Sequence, residues 1–206
     1  MKKPGPFPLP AVLLFAAIVV LVRVSSRELP SFAFLQPDLL AAALFLYSPL
    51  LHYRLGKAPP WIRILNFRKS AIAAIALAAV GTLAFAAFAR LPLPPSLAPY
   101  GGQPPLQVEF LFRQALLIAL PEEVFFRGYL YDAFEERKWE PVLASSLLFA
   151  AGHLVIHASW YRALTIFPGL LLGGARKFSG NIYVPILLHL LFNLLPYFSG
   201  GPLAPT

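Results

Sequence analysis

The chain has 206 residues, 17 lysines and arginines against 9 acids for a net charge of +8, and no cysteine, which excludes disulfides, a thiol nucleophile and a thiolate metal site. Hydrophobic residues make up 58% and charged residues 13%, where a soluble domain carries about 25% charged residues. A mean hydropathy of +0.69 would leave aggregating apolar patches in water, so lipid is the expected solvent.

The expected fold is all-α: a polytopic transmembrane helical bundle of about seven spans (six to eight), each about 20 residues long. It reads as a single transmembrane domain over 1–206. Residues 1–105 form an N-terminal three-helix part with loops, and 106–198 a helical core. In chain order the apolar runs predict helices at about 8–23, 32–51, 70–90, 106–133, 141–158, 161–175 and 181–198. The first follows Lys2 and Lys3 without an A-x-A-like cleavage site, so an uncleaved helix is expected rather than a signal peptide. The stretch from Leu91 to Pro105 reads as an extended linker. The fourth helix is long and charged. The sixth is short for a span, and is expected to be tilted, broken or partly buried in protein.

Lysine and arginine set the expected orientation. The loop after the second helix carries Arg54, Lys57, Arg63, Arg68 and Lys69, which places it, and with it the N-terminus, in the cytoplasm of an inner-membrane protein. Basic residues at the ends of apolar runs fit headgroups and topology, so the positive charge implies the lipid bilayer as partner and no nucleic acid. No internal repeat of the kind found in transporters built from inverted halves is visible.

Ionisable residues inside spans cost roughly 2.5–3.5 kcal/mol each and need a reason. The fourth helix holds Glu122, Glu123 and Arg127. Glu123 and Arg127 are four apart and can pair on one face, while Glu122 points about 100° away. The fifth helix holds Phe149 and His153, and the seventh His189 and Asn193 on one face. Glu122, His153 and His189 lie at a similar depth, roughly 12–20 Å from the cytoplasmic ends of their helices. One site among helices four, five and seven is therefore expected.

These groups suit hydrolysis. A buried glutamate can act as general base on water, imidazoles can orient that water, and an asparagine amide can donate to an oxyanion. Glu122, His153 and His189 are also a zinc ligand set with an open position. The residue types admit a metal and a metal-free site alike, although the spacing is not H-E-x-x-H. His157 is expected at the interface, Glu109 and Arg113 as a rim ion pair, and Asp132, Glu135, Glu136, Arg137 and Lys138 as a solvated cap. Gly152, Gly169, Gly173 and Gly174 are expected to serve helix packing.

At these residues the chain resembles the type II CAAX prenyl endopeptidase and bacteriocin-processing (CPBP, or ABI) intramembrane proteases. Glu122, Glu123 and Arg127 match the family's E-E-x-x-x-R, with Gly128 and Tyr129 following; Phe149 and His153 match F-x-x-x-H; His189 and Asn193 match H-x-x-x-N. The Gly174–Pro185 stretch, with Ser179, Gly180 and Asn181, also looks like the family. The resemblance covers about Glu109 to Pro196. It implies a peptide-bond hydrolase of glutamate or metal type acting on a membrane-anchored peptide or protein tail, CAAX-protease-like, with a C-terminal protein-sorting protease as the narrower form. Glu122 and His153 would activate water, His189 and Asn193 would stabilise the oxyanion, and Glu123, Arg127 and Phe149 would support the site. No cofactor is required, and zinc on Glu122, His153 and His189 is the alternative. The competing functional readings are a non-catalytic membrane scaffold or immunity protein, and a small-solute or proton transporter.

Overall fold

The structure is a computed structural model that describes residues 5–28, 37–54, 59–91, 107–157 and 160–198. Residues 92–105 of the expected linker, Lys2, Lys3, Lys57 and the C-terminal segment 199–206 lie outside the described residues. Among the described residues there is no strand. The helices are α1 (Leu9–Glu28), α2 (Pro37–Arg54), α3 (Phe67–Phe88), α4 over 108–136, α5 (Pro141–His157), α6 (Ile166–Ser179) and α7 (Tyr183–Phe198). Short 3-10 turns at Pro60–Ile62 and Trp160–Thr165 precede α3 and α6. A helix stands at each of the seven expected positions.

Their ends have local causes. Asn66 starts α3 by accepting from the Lys69 amide at 2.9 Å. Gly180 ends α6 in the left-handed region, at φ 74°, where glycine carries no Cβ clash. One residue later Asn181 starts α7 by accepting from the amides of Tyr183 and Val184 at 3.0 and 3.3 Å. Its own amide donates to Ser70 Oγ on α3 at 2.8 Å. The family-like Ser179-Gly180-Asn181 stretch is therefore a reversal that ends one helix, caps the next and ties both to a third. The sixth helix is broken as expected, its first turn being 3-10.

α4 is not a uniform α-helix. Two π-helical segments, Arg113–Ala119 and Val124–Leu130, flank one α turn, Leu120–Glu123. Pro121 stands in that turn. A proline inside an α-helix leaves a carbonyl without its donor, and the widened π geometry is a place where such a helix adjusts.

Two apolar clusters frame this turn. On one side α1 (Phe15, Ile18, Val19, Val22) packs with Phe45 of α2, Phe125 and Phe126 of α4 and Phe149 of α5. On the other, Ala73 of α3 meets Leu172 and Ala175 of α6 and Val184 and Leu188 of α7. At about 25 cal/mol per Å2 of apolar area buried, these clusters fix the seven helices around α4. Gly128 allows the 3-10 turn to close on α4: a Cβ there would stand 2.7 Å from the buried Trp61 ring. Gly173 permits a similar approach to Val142. Gly174 does not, since a Cβ there meets nothing within 4 Å, so its expected packing role is not seen.

Large apolar side chains cover much of the outside, including Leu13, Val20, Ile72, Ile75 and Leu83, a surface suited to lipid rather than water. Two helical stretches, Leu9–Arg27 and Phe67–Phe88, are long and apolar enough to cross a membrane. Pro141–His157 and Tyr183–Tyr197 are apolar but shorter. α4 and α6 fall short for a physical reason: one carries charge and two π segments, and the other begins as a 3-10 turn.

Candidate functional site

Glu122 and Glu123 occupy the single α turn between the π segments and leave the helix in different directions. Glu123 is fully buried. Its Oε1 accepts from Arg127 Nη1 at 3.0 Å, one helical turn on, and bonds His189 Nδ1 of α7 at 2.8 Å. Arg127, also fully buried, sends its second arm to the Gly169 carbonyl of α6 at 3.1 Å and lays its guanidinium over the Phe149 ring of α5 at 4.4 Å. Four helices are thus joined through one ion pair. A buried pair of this kind is held only when its remaining donors and acceptors are satisfied, and Glu123 Oε1, Gly169 and Phe149 supply most of that.

Glu122 faces the other way. Its Oε2 is buried and has no hydrogen-bond partner. It stands 4.0 Å from His153 Nε2 on α5 and 3.8 Å from His189 Nε2 on α7. Both imidazoles are held by their far nitrogens. His153 Nδ1 meets the Phe149 carbonyl at 3.0 Å, and His189 Nδ1 meets Glu123. In this network His153 Nδ1 carries the proton, because a carbonyl can only accept. Its Nε2 lone pair then faces Glu122. Phe149 packs on both rings, with centroids 4.4 Å from His153 and 5.9 Å from His189. Asn193 lies one turn beyond His189, and its Nδ2 donates to Gln114 Oε1 at 2.9 Å. One amide hydrogen is therefore anchored and the other is available.

The three atoms around Glu122 are spaced for water rather than for zinc. Zinc bonds of about 2.0–2.1 Å put ligand atoms roughly 3.3 Å apart, closer than the gaps seen here. Among the described residues no group of three His, Cys, Asp or Glu is placed to hold a metal ion. Two acceptors bridged by one water at about 2.8 Å each stand roughly 4–4.5 Å apart, which matches the 4.0 Å between Glu122 and His153.

Other expected residues are placed differently. Arg113 pairs with Asp38 of α2, not with Glu109; the tertiary partner displaces the one a turn away. Glu109 has no ion pair or hydrogen bond among the described residues. Asp132 is not part of a solvated cap. It accepts from Tyr53 at 2.9 Å and Trp61 at 3.1 Å and pairs with Arg176 at 3.3 Å, because α2, the Pro60–Ile62 turn and α6 all close on that side of α4. Arg176 also donates to the Arg127 carbonyl at 3.1 Å. His157 is exposed at the end of α5, its ring 6.0 Å from that of His153. Gln114, Arg176 and the Gly169 carbonyl are contributions the sequence reading missed. Gln114 left one signal, a lone amide in an apolar run.

The family model described as Type II CAAX prenyl endopeptidase Rce1-like matches residues 104–195. An Escherichia coli protein described as an uncharacterized 24.3 kDa protein is 35% identical over 79 residues, which are 36% of this chain and 36% of that protein. The chain therefore aligns with about a third of that relative's length. No solved structure matches the chain. The matched region holds α4, α5, α6 and most of α7, including every residue around Glu122, and through it the chain belongs to the type II CAAX prenyl endopeptidase Rce1-like family.

Proposed function

We propose that the protein is an intramembrane endopeptidase that cleaves a membrane-anchored peptide or protein tail with a water activated by Glu122. It sits in the inner membrane as about seven spans with the N-terminus in the cytoplasm, and family membership and the two long apolar helices support the membrane placement. The observation that carries the reaction is the convergence of the unpartnered Glu122 Oε2 on two imidazole nitrogens at 4.0 and 3.8 Å.

In this mechanism a water donates one hydrogen to Glu122 and the other to His153 Nε2, so its lone pair is aimed at the scissile carbonyl. As oxygen bonds to carbon, Glu122 takes the proton. The oxyanion accepts from the free Asn193 amide hydrogen and from the imidazolium form of His189, held on its far side by Glu123. Glu122 then gives its proton to the amide nitrogen, the C–N bond breaks, and a carboxylate and an amine leave. No step requires a metal.

The test is Glu122→Gln, which keeps the shape and removes the base. The expected outcome is a fold that survives, measured by solubility and thermal unfolding in detergent, with an uncleaved precursor accumulating in the membrane proteome. An unchanged membrane proteome would sink the protease reading. Solute flux in proteoliposomes that disappears in Glu122→Gln, without any cleavage, would replace it with a transporter.

A further inference from the structure

A cavity of about 410 Å3 opens beside the first π segment of α4, lined by Asp38, Gln107, Glu109, Arg113, Gln114 and the apolar Phe110 and Ile118. Its volume falls in the range of ligand sites, about 300–1,000 Å3. It is joined to the reaction centre through one lining residue, since Gln114 accepts from Asn193.

Its charge runs against that of the molecule. The chain as a whole is at +8, yet the lining carries two carboxylates and one guanidinium. Arg113 is neutralised by Asp38, so the charge left over is the carboxylate of Glu109. Phe110 and Ile118 give the cavity an apolar wall. A lysine or arginine matches both features: its aliphatic stem can lie on apolar surface while its cationic head reaches a carboxylate.

The distance sets where in a substrate that residue would stand. Glu109 and Glu122 are 13 positions apart on α4. At about 1.5 Å per residue the separation is roughly 20 Å, which an extended peptide spans in about six residues at 3.3 Å each.

We infer that this cavity is a substrate subsite that binds a basic residue about five or six positions from the scissile bond, with Glu109 as its specificity determinant. The inference rests on the protease reading and deepens it: the substrate class becomes a membrane-anchored peptide with a basic flank, and the flank lies at the Asp38 end of the bundle.

The experiment uses the full chain in detergent and synthetic 20-residue peptides, apolar in one half. In the polar half a single Lys, Gln or Glu is walked along the positions, and cleavage products are read by mass spectrometry. Wild type is expected to cleave Lys peptides about three- to fivefold faster than Gln peptides at five or six positions from the cut, the range of a partly exposed ion pair. Glu109→Gln should erase that preference and Glu109→Arg should turn it towards Glu peptides, with cleavage of Gln peptides unchanged. Cleavage without charge preference, or a preference that both variants keep, would overturn the subsite and leave the protease standing. Binding of the same peptides to the Glu122→Gln protein separates the two claims. A Lys preference there that Glu122→Gln/Glu109→Gln loses supports the subsite even if wild type cleaves nothing. Equal binding of Lys, Gln and Glu peptides overturns it.

Discussion

Glu123 offers one oxygen, Oε1, to both Arg127 and His189. The same carboxylate therefore stabilises the core of α4 and orients a ring of the site. Glu123→Gln would leave the Arg127 guanidinium, at 0% exposure, without its counter-charge. The expected cost is about 3–5 kcal/mol, read as a fall in unfolding temperature in detergent. Glu122→Gln, with no such partner to lose, should leave that temperature nearly unchanged. Asn193→Ala is expected to lower kcat about 10²–10³-fold, as loss of an oxyanion donor does. Gln114→Ala should do less, because Gln114 acts through Asn193. Steady-state cleavage by the two variants checks the order. The Glu123–Arg127 pair was legible in the sequence from its spacing. The same spacing misled at Glu109 and Arg113, because Asp38 comes to Arg113 from another helix. A sequence rule for i and i+4 knows nothing of a residue 75 positions away.

At the scale of elements, hydropathy located every helix, and the shortness of the sixth apolar run anticipated its break. The π segments of α4 left no trace in the pattern, since one extra residue per turn changes hydrogen bonding and not composition. Asp132 was misread for a related reason. Beside Glu135, Glu136 and Arg137 it looks like part of a surface run, and only tertiary closure makes it a hub for Tyr53, Trp61 and Arg176. Two caps give separate predictions. Asn181→Ala removes the acceptor of two α7 amides and the donor to Ser70, and is expected to cost about 1–3 kcal/mol in chemical unfolding. At α5, Glu140 accepts from the Leu143 amide at 2.7 Å and from Lys177 at 2.9 Å. Partial burial works against its charge, but the Leu143 amide and then Lys177 outweigh it and hold its carboxyl below the usual value. A lowered folded value stabilises the fold above the ordinary carboxylate range and loses that contribution as pH falls through the folded value. The difference in stability between wild type and Glu140→Gln should therefore be present at pH 7 and vanish below about pH 4.

For the whole molecule, the charge bias sets a topology that can be read directly, because the chain has no cysteine of its own. Leu65 and Leu91 stand just outside the two ends of α3 and are both exposed. In sealed vesicles of known sidedness, Leu65→Cys is expected to react with an impermeant thiol reagent only from the cytoplasmic side, and Leu91→Cys only from the opposite side. Labelling of both from one side would overturn the span assigned to α3.

The widened turns on either side of Leu120–Glu123 also make α4 unusually sensitive to length. Removing one residue from the Arg113–Ala119 segment would let it relax to ordinary α geometry, with its helical bonds restored rather than broken. The helix would survive, but everything before the deletion would turn by about 100° relative to Glu122. Gln114 would swing away from Asn193, and the cavity away from the water site. Drift in such a chain would thus tolerate many exchanges of one apolar residue for another along α4, and few changes in the number of residues between Arg113 and Glu122.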